Sequence, residues 1–157
     1  MTRRYAVVFE GVAVTATQDF FEVTPADDKP VRLLGLMLSQ SSDTSDAAEE
    51  FLRIKVIRGH ATSGSGGSSF TPVPLSPSDT AAGATAEINN TTIASTGTAV
   101  DVLADTFNIR SGYTFWWTPE TTPFCSEAAG VRMVVRLMAA PADSLTMSGT
   151  LYFEEVV

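Results

Sequence analysis

The chain has 157 residues, of which 44% are hydrophobic and 18% are charged, and its net charge is −8. A chain of this length buries about 68–70% of the surface that it exposes when unfolded, and this composition argues against disorder. The excess of acidic residues argues against nucleic acid as a partner, because binding to phosphates depends on Lys and Arg.

The chain has one cysteine, Cys125, so no intrachain disulfide is possible and nothing points to an oxidising compartment. The apolar stretch from Tyr5 to Phe9 ends at Glu10 and is too short for the core of a signal peptide. No run approaches 18 apolar residues, the length of a transmembrane helix. We therefore expect a protein that is made in a cytoplasm and does not act in a membrane.

Alternating apolar and polar residues predict four strands in the first part of the chain, over residues 5–15, 18–23, 31–39 and 51–58. The alternation of the first strand changes phase at Gly11, which predicts a β-bulge there. The third strand is apolar at both parities, a pattern typical of a strand that is covered on both faces. Residues 1–4 precede the first strand and are predicted to be an N-terminal arm.

The middle of the chain is rich in Gly, Ser and Pro, and residues 59–85 are predicted to form one long central loop. Residues 59–98 contain no Lys or Arg and only two acids, Asp79 and Glu87. An uncharged segment of this kind becomes ordered most readily by lying on a neighbouring surface. That surface is either another chain or this chain's own sandwich, and one strand is expected within residues 86–95.

Four further strands are predicted over residues 100–107, 113–117, 131–138 and 145–154. The last shows the alternation best, with apolar Leu, Met, Leu and Phe on one parity and Thr, Ser, Tyr and Glu on the other. Eight or nine strands with irregular loops predict an all-β fold, a single antiparallel β-sandwich domain of jelly-roll type over residues 1–157.

The sequence does not predict an enzyme, a metal site or a cofactor. His60 is the only histidine, so it would have to serve any Ser-His-Asp arrangement, and no motif supports that role. The acidic cluster 43–50 lacks the glycine and the ligand spacing of a calcium loop. Cys125 lies in a predicted loop, and no histidine nearby in the sequence indicates a reactive thiol.

Binding residues are predicted in the N-terminal arm, in the long loop and in the aromatic strand. Phe115, Trp116 and Trp117 are consecutive, so they cannot all face one side of a strand, and at least one is expected to point away from the core. The positive arm suits an acidic partner surface. The predicted interface comprises Arg3, Arg4, Phe70, Pro72, Val73, Pro74, Leu75, Phe115, Trp116 and Trp117.

Four segments resemble small structural proteins encoded among the virion genes of tailed bacteriophages. They are YAVVFEGVAVTATQDFFEVTPADDKPVRLLGLMLSQSSD, IRGHATSGSGG, NNTTIASTGTAV and VVRLMAAPADSLTMSGTLYFEE, which together span nearly the whole chain. The resemblance implies a virion component that assembles in the host bacterial cytoplasm. It would be a capsid decoration or cement protein, or a tail-associated part, and its partner would be the major capsid protein or another virion protein.

Such proteins often act as oligomers, and a homotrimer at the three-fold positions of a shell is the expected state. A second hypothesis is a carbohydrate-binding module that recognises a receptor for a tail or spike through an exposed Trp. A small β-sandwich hydrolase is the weakest hypothesis, because no Asp or Glu lies in a distinctive motif.

Overall fold

The computed structural model describes residues 2–42, 49–126 and 131–156, which contain twelve strands and no helix. The strands are β1 (Thr2–Val14), β2 (Gln18–Thr24), β3 (Val31–Gln40), β4 (Phe51–His60), β5 (Ser68–Phe70), β6 (Val73–Pro74), β7 (Thr85–Asn90), β8 (Val100–Asn108), β9 (Tyr113–Trp116), β10 (Phe124–Cys125), β11 (Arg132–Leu137) and β12 (Leu145–Val156).

The strands form two antiparallel sheets that pack against each other. Sheet A has the order β10-β3-β12-β1-β6, and β9 also pairs with β3; sheet B has the order β5-β7-β2-β11-β4-β8. Four pairs are nested along the chain: β1 with β12, β2 with β11, β3 with β9, and β4 with β8. Nested antiparallel pairs that alternate between two sheets define a jelly roll. The predicted fold class is confirmed.

All nine predicted strands are present, and β5, β6 and β10 are short additions. The predicted bulge is confirmed, because the register of β1 against β12 shifts between Phe9 and Val12 and Gly11 has a φ of 63°. This left-handed backbone conformation is one that glycine adopts without strain. Of the acidic cluster, residues 43–48 lie outside the described residues.

The predicted N-terminal arm is wrong for the residues that the structure describes. Residues 2–4 belong to β1, and Thr2, Arg3 and Arg4 pair with Val156, Glu155 and Glu154 of β12. The first strand was predicted to begin at Tyr5, where the apolar alternation begins. Backbone pairing does not depend on that alternation, so the strand extends to residues before Tyr5.

The core lies between the sheets and follows the predicted alternation. In β12, Leu145, Met147, Leu151 and Phe153 are at most 1% exposed, while the intervening Thr, Ser and Tyr side chains are half-buried. Aromatic rings fill the centre, where Phe9 packs against Phe20 and Phe21. Both inner faces therefore contribute to one hydrophobic core.

Residues 61–99 form an insertion between β4 and β8 of the jelly roll, and part of it folds over the outer face of sheet B. The first and last parts of the insertion pair with each other through the Thr62–Ser95 and Ser65–Thr92 bridges. Ala94 packs against Ile57 and Val134, and all three are buried. Of the two alternatives for the central segment, the structure shows the one in which it lies on its own sandwich. It also contains β5, β6 and β7, so residues 59–85 are not one continuous loop.

Buried charges fasten the insertion to sheet B. Arg136 donates to both carboxylate oxygens of Asp19, at 2.6 and 3.1 Å, and to the carbonyl of Ala94 at 2.8 Å. The Ala94 N–H donates in turn to Asp19 at 2.7 Å. The backbone of the insertion thus supplies the remaining hydrogen bonds of the ion pair. The polar groups that burial removes from water are therefore satisfied.

Candidate interaction surface

The outer side of sheet A is not covered by the insertion, and we call it the open face. Five strands bring one residue each into a direct cross-strand row at its centre. The row runs Val73, Ala6, Tyr152, Gly35, Trp116. Because neighbouring strands lie about 4.8 Å apart, the row spans about 19 Å.

Trp116 is the most prominent side chain of this row. It is 58% exposed, and its ring stacks on Tyr152 with centroids 5.5 Å apart and an angle of 13° between the planes. It lies over Gly35, where an added Cβ would come within 2.5 Å of the ring. The absence of a side chain at Gly35 thus makes room for Trp116, which is held against the sheet while one part stays in contact with solvent.

A second row, next to the first, combines charges with apolar ends. It runs Leu75, Arg4, Glu154, Arg32, Phe124. Glu154 lies 2.7 Å from Arg32 and 3.7 Å from Arg4. Two guanidinium groups against one carboxylate leave a positive charge on this row, in a chain whose net charge is −8.

On the other side of the central row lies a third row, Val8, Thr150, Met37, Thr114. It borders a shallow recess of about 530 Å³, whose lining also includes Glu10 and Ser148. The open face therefore has a concave region as well as exposed apolar side chains.

Exposed apolar side chains concentrate on the open face. Of the seven large hydrophobic residues that are exposed in the described parts of the chain, five lie there: Val8, Val73, Leu75, Trp116 and Phe124. The other two are Phe51 and Val100. This concentration of exposed apolar side chains on one face makes the open face the candidate interaction surface among the described residues.

Four of the ten residues predicted for the interface lie on the open face, namely Arg4, Val73, Leu75 and Trp116. The prediction that at least one aromatic of the trio points outward is confirmed by Trp116. Phe115 and Trp117 pack against the core instead, with their rings 5.3 Å apart. Strand alternation explains this, since Trp116 and its two neighbours face opposite sides of sheet A.

The other predicted interface residues do not join this surface. Arg3 points to the opposite side of β1 from Arg4 and donates to the hydroxyl of Thr80 at 2.7 Å. Phe70 packs against the core, and Pro72 is buried. Pro74 pairs with Tyr5, whose side chain is in the core. The prediction groups Phe70, Pro72 and Pro74 because they are close in the sequence. In the structure β5 belongs to sheet B and β6 to sheet A, so these residues do not form one surface.

The sequence reasoning missed several residues of the open face, including Val8, Met37, Phe124 and Tyr152. The expectation that β3 is covered on both faces is not met in the described residues, because Met37 and its outer neighbours remain half-buried on an open surface. The available signal was an apolar residue at a solvent-facing position of a strand, with similar residues at the matching positions of neighbouring strands. Recognising it requires the strand order, which the sequence does not provide.

His60 and Cys125, the two residues considered for catalysis, are both buried. His60 is 7% exposed, and its Nδ1 lies 3.3 Å from the carbonyl oxygen of Thr96. Cys125 is buried in the core rather than in a loop, and burial raises the pKa of its thiol to about 11. Within residues 2–42, 49–126 and 131–156, no three potential metal ligands come together, and no helix is long and apolar enough to cross a bilayer.

No protein-family model, curated protein or solved structure matches this chain. The assignment of the fold therefore depends on strand topology, and the assignment of a function depends on the open face together with the sequence.

Proposed function

We propose that this protein is a structural component of a tailed-bacteriophage virion, and that it decorates the assembled capsid by binding the shell through the open face. The observation that supports binding is the concentration of five exposed large hydrophobic side chains on that face. The shell is proposed as the partner because of the resemblance of the sequence to phage structural proteins. The proposed place of assembly is the host bacterial cytoplasm.

The open face suits recognition by surface rather than by chemistry. It is formed by paired strands, so its backbone is already ordered before a partner binds, and little conformational entropy is lost on attachment. The net positive charge of the Arg4–Glu154–Arg32 row favours an acidic patch on the shell. A ligand that binds only the assembled shell stabilises it by mass action.

The size of the open face favours attachment as an oligomer. Its three rows span about 19 by 13 Å between Cα atoms, given the usual spacing of strands and residues. One such face is smaller than the ~800 Å² that each partner contributes to a standard interface. Several linked copies bind with an avidity that a single copy lacks, and a trimer is the proposed state.

The decisive experiment adds the purified chain to shells that lack it and measures co-sedimentation and the temperature of shell disruption. We expect binding and a higher disruption temperature. Val73→Asp places a charge on the open face and is expected to weaken binding at least tenfold. Val100→Asp is the matched control, since both residues are exposed, by 52% and 43%, and Val100 lies on sheet B. Equal binding by the two variants, or no binding by the native chain, would contradict the proposal.

A second candidate function is glycan recognition through Trp116. The observation that favours it is the exposed ring held over Gly35, since aromatic rings of this kind stack on the apolar faces of sugars. A glycan array probed with the native chain and with Trp116→Ala tests it. Glycan binding that depends on Trp116, without binding to shells, would favour this function over decoration.

A further inference from the structure

A second recess lies on the other sheet, at the edge formed by β5 and β7. It has a volume of about 530 Å³, within the usual range for small-ligand sites, and it is open to solvent on one side. Its polar lining includes Glu22, Glu87 and Arg132, with hydroxyl groups from Ser69, Thr71 and Thr85. Apolar lining comes from Phe70, Pro72 and three alanines.

Cross-strand register places the polar groups of this recess side by side. Ser69 lies opposite Glu87, and Glu87 lies opposite Glu22. Thr85 and Thr24 form the next pair on the same face. The groups thus come from three adjacent strands, and their spacing is fixed by backbone pairing rather than by a flexible loop.

Glu22 holds the wall of the recess in place. It is 2% exposed and lies 2.9 Å from Nε of Arg132. It also accepts hydrogen bonds from Ser63 Oγ at 2.7 Å and from the N–H of Gly64 at 2.9 Å. These contacts fully engage its carboxylate. Glu22 therefore acts as a positioning residue for the Arg132 guanidinium.

Arg132 and Glu87 each keep hydrogen-bonding capacity. Nε of Arg132 contacts Glu22 and the hydroxyl of Thr24, and Nη1 donates to the carbonyl of His60. Nη2 has no partner among the described residues. Oε2 of Glu87 accepts from Asn90 Nδ2 at 2.6 Å, and it lies 3.2 Å from Ser63 Oγ, whose single proton is shared with the nearer Glu22. Oε1 of Glu87 has no partner in the same described set. A fixed donor and a fixed acceptor therefore line one recess together with several hydroxyl groups.

We propose that this recess, bounded by Glu87, Arg132, Ser69 and Thr85, binds a neutral saccharide unit. A carboxylate oxygen accepts hydrogen bonds from sugar hydroxyls, a guanidinium donates to them, and protein hydroxyls do both. The apolar residues of the recess suit the C–H face of a sugar ring. Two carboxylates against one guanidinium make the site negative, which disfavours uronic acids and other acidic sugars. The site is separate from the open face and does not depend on attachment to a shell.

The test uses an array of neutral, amino and uronic-acid oligosaccharides, followed by titration of the best-bound neutral oligosaccharide into the ¹⁵N-labelled full chain. We expect the amide resonances of residues 69–71 and 84–87 to shift. Glu87→Gln keeps the side-chain size and an oxygen for Asn90, and it is expected to weaken binding at least tenfold. Glu10→Gln, an exposed carboxylate on sheet A, is the matched control and is expected to bind like the native chain.

Two further variants keep the proposal falsifiable. Thr85→Val alters an exposed hydroxyl without removing a buried contact, so it decides the question if Glu87→Gln does not fold; a fivefold or larger loss of affinity is expected. Trp116→Ala is expected to have no effect. The proposal is overturned if the native chain binds no neutral oligosaccharide on the array. It is also overturned if Glu87→Gln folds and binds normally or, where Glu87→Gln does not fold, if Thr85→Val binds normally. Loss of binding with Trp116→Ala alone overturns it as well.

Discussion

The outer faces of the two sheets differ in their cover: the insertion covers part of sheet B, which we call the closed face, and it leaves the outer side of sheet A open. On sheet B, the insertion covers Val134, which has no exposed surface, and encloses the Asp19–Arg136 pair. On sheet A, the outer residues of β12 remain half-buried, and Trp116 is 58% exposed. An outer strand face thus becomes part of the interior where the same chain supplies a cover. Where the described residues supply none, as on the open face, apolar side chains such as Trp116 stay exposed.

The largest expected effect tests the closed face. Arg136→Met leaves the Asp19 carboxylate buried without its partner and removes a donor to the Ala94 carbonyl. We expect the free energy of unfolding to fall by about 3–5 kcal/mol, as for other broken buried ion pairs. Urea denaturation followed by circular dichroism measures it.

The control for this change is Lys55→Met, which breaks an exposed pair of similar length, 2.7 Å from Asp101. Exposed pairs contribute less than about 1 kcal/mol. If Arg136→Met destabilises the protein no more than Lys55→Met does, the insertion is not held to sheet B by this pair, and the contrast between the two faces is wrong.

The next effect tests the open face. Gly35→Ala places a Cβ within 2.5 Å of the Trp116 ring, so the ring must leave its position over β3. We expect a loss of about 1–3 kcal/mol, typical of overpacking, and weaker attachment to shells. In a Trp117→Phe background, Trp116 is the sole tryptophan, and its fluorescence emission is expected to change.

Combining Gly35→Ala with Trp116→Ala separates the two causes. If Gly35 matters through Trp116, the double variant binds shells no more weakly than Trp116→Ala alone. An additive loss would mean that Gly35 contributes to the open face by another route, and the arrangement of the central row would need revision.

A smaller effect concerns β10, the short strand at one edge of the open face. Burial raises the pKa of the Cys125 thiol from 9.0 to about 11. The neutral thiol is favoured in the folded chain, so the stability from this group is fully present below pH 9 and is lost as the pH rises from 9 to 11. At pH 10 the expected loss is about 1 kcal/mol, the equivalent of one pKa unit. The pKa of Tyr113 is also raised, mainly by burial and further by Asp105, so it acts in the same direction.

Cys125→Ala removes the contribution of the thiol while leaving that of Tyr113. The difference in pH dependence between the native chain and this variant therefore isolates Cys125. In addition, the native thiol is expected to resist alkylation at pH 8 and to react rapidly in guanidinium chloride. Fast alkylation of the folded chain would show that β10 detaches, and Phe124 would then not be a fixed part of the open face.

The sequence predicted the strands well because a half-buried strand leaves a period-two pattern in its own residues, as β12 does. It did not predict which strands pair. Arg4 and Glu154 are 150 positions apart, and only the β1–β12 register places them together. Alternation alone predicted that at least one of Phe115, Trp116 and Trp117 points outward, and the structure shows that this residue is Trp116. The surface around Trp116 was not predicted, since Tyr152, Gly35 and Val73 come from three other strands.

The smallest expected effect compares two neighbouring aromatic residues. Trp116→Ala removes the stack on Tyr152 and the contact of the ring with Gly35, and most of the side chain is exposed, so we expect a loss of about 0.5–1.5 kcal/mol. Phe115→Ala is the inward-facing control, because Phe115 packs against the core and between Tyr113 and Trp117; a loss of about 3 kcal/mol is expected. Thermal and urea unfolding measure both. Equal losses would mean that Trp116 supports the fold as Phe115 does. Its exposure would then be no sign of a partner, and the open face would lose its central residue.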